Sequence, residues 1–150
     1  MGHTINNYDK SGTTLSTINP TNMFYSRIKD MDTNCDFILL FGGTNDWGLG
    51  LHLGDKTDTN QTINWYGTLF VNLALLRRKF PDKTIFINEI TQRNWLLTSD
   101  KAASMDDNGT GASIQDFNNA IHHMAERFGC KLYLVLVNGV FGKKLFLIIQ

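Results

Sequence analysis

Apolar positions along this 150-residue chain fall into three unbroken runs separated by stretches with a helical period. Phe37-Ile38-Leu39-Leu40-Phe41 is the first run, preceded by Asp36 and ended by Gly42-Gly43. Thr84 to Ile90 is the second and Lys131 to Val137 the third. Continuous short runs of this kind predict strands buried on both faces of a parallel sheet. Between the first two, Ile63, Tyr66, Phe70, Leu73, Leu76 and Phe80 recur at spacings of three and four, and Pro81-Asp82 stops the helix they predict. Between the last two, Ile114, Phe117, Ile121, Met124 and Phe128 form a similar stripe. Ser113 with Asp116 makes a capping-box-like start there, and Gly129 supplies the stop. A shorter helix is expected over Asn22 to Met31, after Pro20, with Phe24, Ile28 and Met31 facing inward.

The order helix, strand, helix, strand, helix, strand, with short right-handed connections, predicts one α/β domain over residues 1–150, a three-layer α/β/α sandwich around a parallel sheet. Two loops, Gly42 to Gln61 and Gln92 to Ala112, are longer than connection requires. Both follow the carboxyl ends of strands, where open α/β sheets carry their ligand sites.

The segment Asp36-Phe-Ile-Leu-Leu-Phe-Gly-Gly-Thr-Asn45-Asp46 narrows the chemistry. A carboxamide held at the carboxyl end of a buried strand can aim an N–H at an oxyanion as a tetrahedral intermediate forms, a contact typically worth about 3 kcal/mol in the transition state. Gly43-Thr44-Asn45-Asp46 resembles the Gly-x-Asn-Asp block of the SGNH (GDSL-type) hydrolase family, and Tyr8-Asp9-Lys10-Ser11-Gly12-Thr13-Thr14 resembles the family's preceding block. The resemblance runs through residues 4–135 and implies a flavodoxin-like sandwich lacking its first strand and most of its second. It implies an ester hydrolase of acyl or acetyl groups, with a serine nucleophile, no metal or organic cofactor, and an oxyanion hole to which Asn45 and Gly12 contribute. Trp47, Arg93 and Trp95 are the residues expected to line the substrate cleft, and the implied substrate is a small-molecule or glycan ester. For each tryptophan the plainer reading is core or cleft wall, for Arg93 a surface loop, and for Asn45-Asp46 an ordinary turn.

The departures from the family are as informative. No Gly-Asp-Ser block precedes Gly12, and the sole Gly-Asp pair, Gly54-Asp55, is followed by Lys56. No aspartate is followed three residues later by histidine, so the family's Asp-x-x-His block has no counterpart either. The chain thus reads as the middle of such a hydrolase, and weak or no activity is expected of these 150 residues alone. The run from Asn138 to Gln150 changes character abruptly, as a shifted reading frame or a truncated gene would make it do. A second reading, from a different class, is a non-catalytic ligand- or carbohydrate-binding module that keeps the cleft and has lost the chemistry.

Other features narrow the field without adding chemistry. Fourteen basic and fourteen acidic side chains cancel, which argues against nucleic-acid binding. The one basic cluster, Arg77-Arg78-Lys79, sits where a helix should end and complements its dipole. Gly48-Leu-Gly50-Leu-His-Leu-Gly54 lacks the strand-to-helix context of a dinucleotide loop. His52 is the one histidine in a cleft-side loop; His122 and His123, being adjacent on a helix, cannot hold one metal from the same face. Cys35 and Cys130 show no metal-ligand spacing, and a disulfide between them stays open. No signal peptide is visible at the N-terminus, and Leu132 to Ile149 is too interrupted by Asn138, Lys143 and Lys144 to span a membrane, so the chain reads as soluble with its compartment unknown. Without a neighbouring strand, Phe37 to Phe41 would be an apolar sheet edge open to self-association.

Overall fold

The computed structural model describes residues 5–59, 63–91 and 107–133. Its elements are α1 (Tyr25–Ile28), β1 (Phe37–Leu40), α2 (Thr44–Gly48), α3 (Trp65–Lys79), β2 (Thr84–Asn88), α4 (Ile114–Arg127) and β3 (Lys131–Tyr133). The three strands pair in parallel in the order β1-β2-β3. The architecture is the predicted α/β one, with a parallel sheet and a helix in each crossover.

Register explains why the strands read as unbroken apolar runs. Ile38 lies beside Ile85, and Leu40 beside Ile87, all four fully buried on one face. On the opposite face Phe37 meets Phe86 edge to face at 5.4 Å. Strands reached in the order β1-β2-β3 by right-handed crossovers place α3 and α4 side by side. The two helices do pack against each other: Trp65 of α3 stacks on Phe117 of α4 at 4.9 Å, and its indole N–H donates to the Phe117 carbonyl at 3.1 Å.

Helix α3 starts where its orphan N–H groups find acceptors. Trp65 and Tyr66 donate to the carbonyls of His52 and Leu53, and Gly67 donates to the Asn64 side chain. A methyl group at Gly54 would fall 2.2 Å from Asn64 Cγ, so this loop can approach the cap only as glycine. Two features of the predicted stripe shift. Ile63 lies outside the helix and is 58% exposed. The fully buried face carries Trp65, Leu69, Asn72, Leu73 and Leu76, while Tyr66 and Phe70 are half-buried against His123 and Phe128 of the α4 end. The helix is therefore wedged between two surfaces, which a single stripe cannot describe.

Helix α4 begins with the predicted capping box: Ser113 Oγ accepts from Asp116 N, and the Asp116 carboxylate accepts from Ser113 N. At its other end Arg77 of α3 donates to the Phe128, Gly129 and Lys83 carbonyls. The basic cluster thus does more than complement its own helix dipole, because Arg77 caps the neighbouring helix. The expected N-terminal helix is only the single turn α1, and the predicted third strand is seen as Lys131–Tyr133, its remainder lying outside the described residues. Cys35 and Cys130 are half-buried free thiols, so the disulfide left open by the sequence is not formed. Among the described residues no helix is long and apolar enough to cross a membrane.

Candidate active site

The carboxyl end of β1 runs through Phe41 and Gly42 into Gly43, whose φ of +102° turns the chain into α2. That conformation is glycine's, and so is the space: a methyl group there would lie 2.4 Å from the Trp65 ring. The turn points the first residues of α2 back across the end of the sheet. Asn45 is half-buried, and its carboxamide donates from Nδ2 to the Thr13 carbonyl at 2.8 Å. Gly12, with φ of +73°, is the residue immediately before Thr13. The structure therefore brings together the two sequence-predicted residues, one from each motif.

The loop that carries Gly12 is fastened from several sides. Asn22 donates from Nδ2 to the Ser11 carbonyl at 2.9 Å, and Arg27 donates to Thr13 Oγ1 at 3.0 Å. Thr14 N donates to the Asn22 carbonyl, and Phe24 N returns a bond to the Thr14 carbonyl. Asp46 is wholly buried, and its two carboxylate oxygens accept from Leu15 N at 2.9 Å and Ser16 N at 2.8 Å. Burial raises the Asp46 pKa, while the bonds from the Ser16 side chain and the two backbone N–H groups pull the other way. Asn72 of α3, also buried, donates to the Leu15 carbonyl at 3.0 Å.

The other sequence candidates fall in different places. Trp47 is not a cleft wall: only 2% of it is exposed, and its indole N–H donates to the Ala112 carbonyl at 3.1 Å within the core. Asn45, two residues earlier, faces the other way because helix residues two apart diverge by about 200°. Arg93 and Trp95 lie outside the described residues. His52 is exposed, His122 bonds to Glu89 at 2.5 Å, and His123 packs on Tyr66. Among the described residues no group of three metal-ligating side chains comes together.

Asp46 enters the sequence reading only as the last residue of the Gly-x-Asn-Asp block, with no role of its own, and Asn72 not at all. A buried carboxylate that bonds to backbone thirty residues away leaves no local pattern. The end of β2 shows the same economy of side-chain amides. Asn118 accepts from Ile90 N at 2.8 Å and donates to the Ile90 carbonyl at 3.2 Å, so a side-chain amide holds the backbone two residues past the strand.

Solved structures share this fold. A GDSL-like lipase, so named, from Bacteroides uniformis superposes with a TM-score of 0.60 at 18% identity, over 81% of this chain and 52% of its own. The fold is that of the GDSL-type hydrolases. A second protein named as a GDSL-like lipase, from Bacteroides ovatus, shares the GDSL-type fold with a TM-score of 0.62 at 16% identity, over 89% of this chain and 57% of its own. A structural-genomics protein from Lactobacillus plantarum superposes at 0.71 with 26% identity, over 83% of this chain and 57% of its own. The chain thus spans little more than half the length of these neighbours. No protein-family model matches the sequence, and no curated protein matches it significantly.

Proposed function

We propose that this chain supplies the oxyanion-binding half of an SGNH-type ester hydrolase acting on acyl or acetyl esters of small molecules or glycans. The observation that supports it is the Asn45 carboxamide, held at the carboxyl end of β1 and bonded to the residue next to Gly12. In the complete reaction a serine Oγ attacks the ester carbonyl carbon and passes its proton to a histidine. The carbonyl oxygen takes the negative charge and is held by the Gly12 N–H and the Asn45 amide. Collapse breaks the bond to the leaving alcohol, which takes the proton; water then releases the acid and restores the serine. The reading keeps Arg93 and Trp95 as cleft residues and drops Trp47, which is in the core.

Because the sequence contains neither a Gly-Asp-Ser nor an Asp-x-x-His block, esterase activity of these 150 residues by themselves is weak or absent in this reading. The test is a fluorophosphonate serine probe on the purified chain, read as intact mass with the adduct mapped to a peptide. A folded chain without adduct is the expected result. One stoichiometric adduct on a serine would overturn the inactivity claim and name the nucleophile. Binding of an ester or glycan with neither adduct nor turnover would instead favour the non-catalytic binding module.

A further inference from the structure

Leu15 is held on both sides of its backbone by buried side chains from two different helices. Its N–H donates to Asp46 of α2 and its carbonyl accepts from Asn72 of α3. Its side chain closes on Gly42, where a methyl group would sit 3.1 Å from Leu15 Cδ2. Ser16 adds a second N–H to the same Asp46 carboxylate. Three residues upstream is Gly12, and between them Thr13 accepts from Asn45, the residue adjacent to Asp46.

Two neighbouring side chains of α2 therefore grip one loop in two ways. Asn45 takes a carbonyl on the Gly12 side, and Asp46 takes two consecutive N–H groups beyond it. An acidic residue in the first turn of a helix is commonly explained by the helix dipole. That explanation does not account for a fully buried carboxylate whose oxygens are both spent on another segment. Burying a carboxylate is costly unless its bonds are made, so the loop and α2 are stable only in this mutual register.

We propose that Asp46 is a positioning residue: through Leu15 and Ser16 it fixes the Gly12 loop against α2, and so sets the place of the Gly12 N–H relative to the Asn45 carboxamide. The functional importance of that spacing rests on the oxyanion reading above. An oxyanion site works through donors fixed before the charge develops, so a loop free to shift by an ångström forfeits much of the effect.

The experiment is nuclear magnetic resonance on the full ¹⁵N-labelled chain and its Asp46→Asn variant. Expected in the variant is exchange of the Leu15 and Ser16 amides at least tenfold faster, with shifted Gly12 and Asn45 resonances and unchanged protection in β2 and α4. Unchanged Leu15 and Ser16 exchange, or equal loss of protection across β2 and α4, overturns the proposal. Should Asp46→Asn not fold, trans-hydrogen-bond coupling from the Leu15 and Ser16 amides to the Asp46 carboxyl carbon in the unaltered chain decides it. Coupling supports the clamp and its absence overturns it.

Titration with methylphosphonate, a small oxyanion, separates the clamp from the oxyanion site. If Gly12 and Asn45 resonances move in the unaltered chain, the variant should bind at least fivefold more weakly; equal affinity overturns the positioning role. If they do not move, the oxyanion reading loses its support, while the exchange pattern still decides the clamp.

Discussion

The indole ring of Trp65 lies against Gly43 so closely that a Cβ on the glycine would be 2.4 Å from Cη2. Trp65 cannot retreat, because it is fully buried, stacked on Phe117 and bonded to its carbonyl. Gly43→Ala therefore meets two penalties, a rigid clash and a left-handed φ of +102°. Overpacking and backbone strain of this kind each cost of order 1–3 kcal/mol. A loss of about 3 kcal/mol in urea-unfolding stability is expected, and a variant as stable as the parent would contradict the packing described.

Helix α4 tests a proton-linked cap. The Asp116 carboxylate accepts from the Ser113 hydroxyl and N–H, which lowers its pKa from the ordinary 3.8. A depressed carboxyl contributes stability above its unfolded pKa and loses it as pH falls through the folded value. Thermal unfolding of the parent should thus weaken on acidification below about pH 4, and Asp116→Asn should flatten that limb. Ser113→Ala should cost about 1 kcal/mol near neutrality. Parallel acid limbs in parent and Asp116→Asn would remove Asp116 from the linkage.

Arg77 gives a substitution in which charge is kept and geometry lost. Its fork donates to three carbonyls at once, those of Lys83, Phe128 and Gly129. Lysine carries the charge but cannot reproduce the planar fork. Arg77→Lys should lose about 1 kcal/mol and Arg77→Met about 2 kcal/mol in urea midpoints at constant m-value. Equal stability of parent and Arg77→Lys would show that charge alone suffices.

Trp47 should behave as a core residue. Trp47→Phe keeps most of the ring but removes the N–H donated to Ala112, leaving a buried carbonyl without that partner. About 1–3 kcal/mol of stability should go, with no change in the affinity of methylphosphonate. A large affinity change at unaltered stability would return Trp47 to the cleft.

How far the sequence reached depended on whether a feature was local. The Ser113–Asp116 cap and the strands Phe37–Leu40 and Thr84–Asn88 are written in consecutive residues and were legible. Gly12 and Asn45 were picked out only through resemblance to two family blocks, and what the structure adds is that Asn45 bonds to Thr13, the residue after Gly12. Helix α2 was not, because Gly43-Thr44-Asn45-Asp46-Trp47-Gly48 carries turn chemistry, and what shapes it is the distant grip on Leu15 and Ser16. Trp47 misled for the same reason. Lying two residues from Asn45 along the chain says nothing about direction once the segment coils.

The parallel ladder also governs the order of events during folding. No hairpin can close β1 on β2; the pairing spans α2, the following loop and α3. Closing such a loop costs entropy before any ladder bond repays it, so strand pairing is slow compared with helix formation. Until β2 arrives, the backbone of Phe37–Leu40 has unpaired groups on both sides. Capture by β2 proceeds at a rate independent of how much protein is present, whereas capture by another chain speeds up with concentration. Dilute refolding therefore favours the ladder, and crowded refolding favours the aggregate.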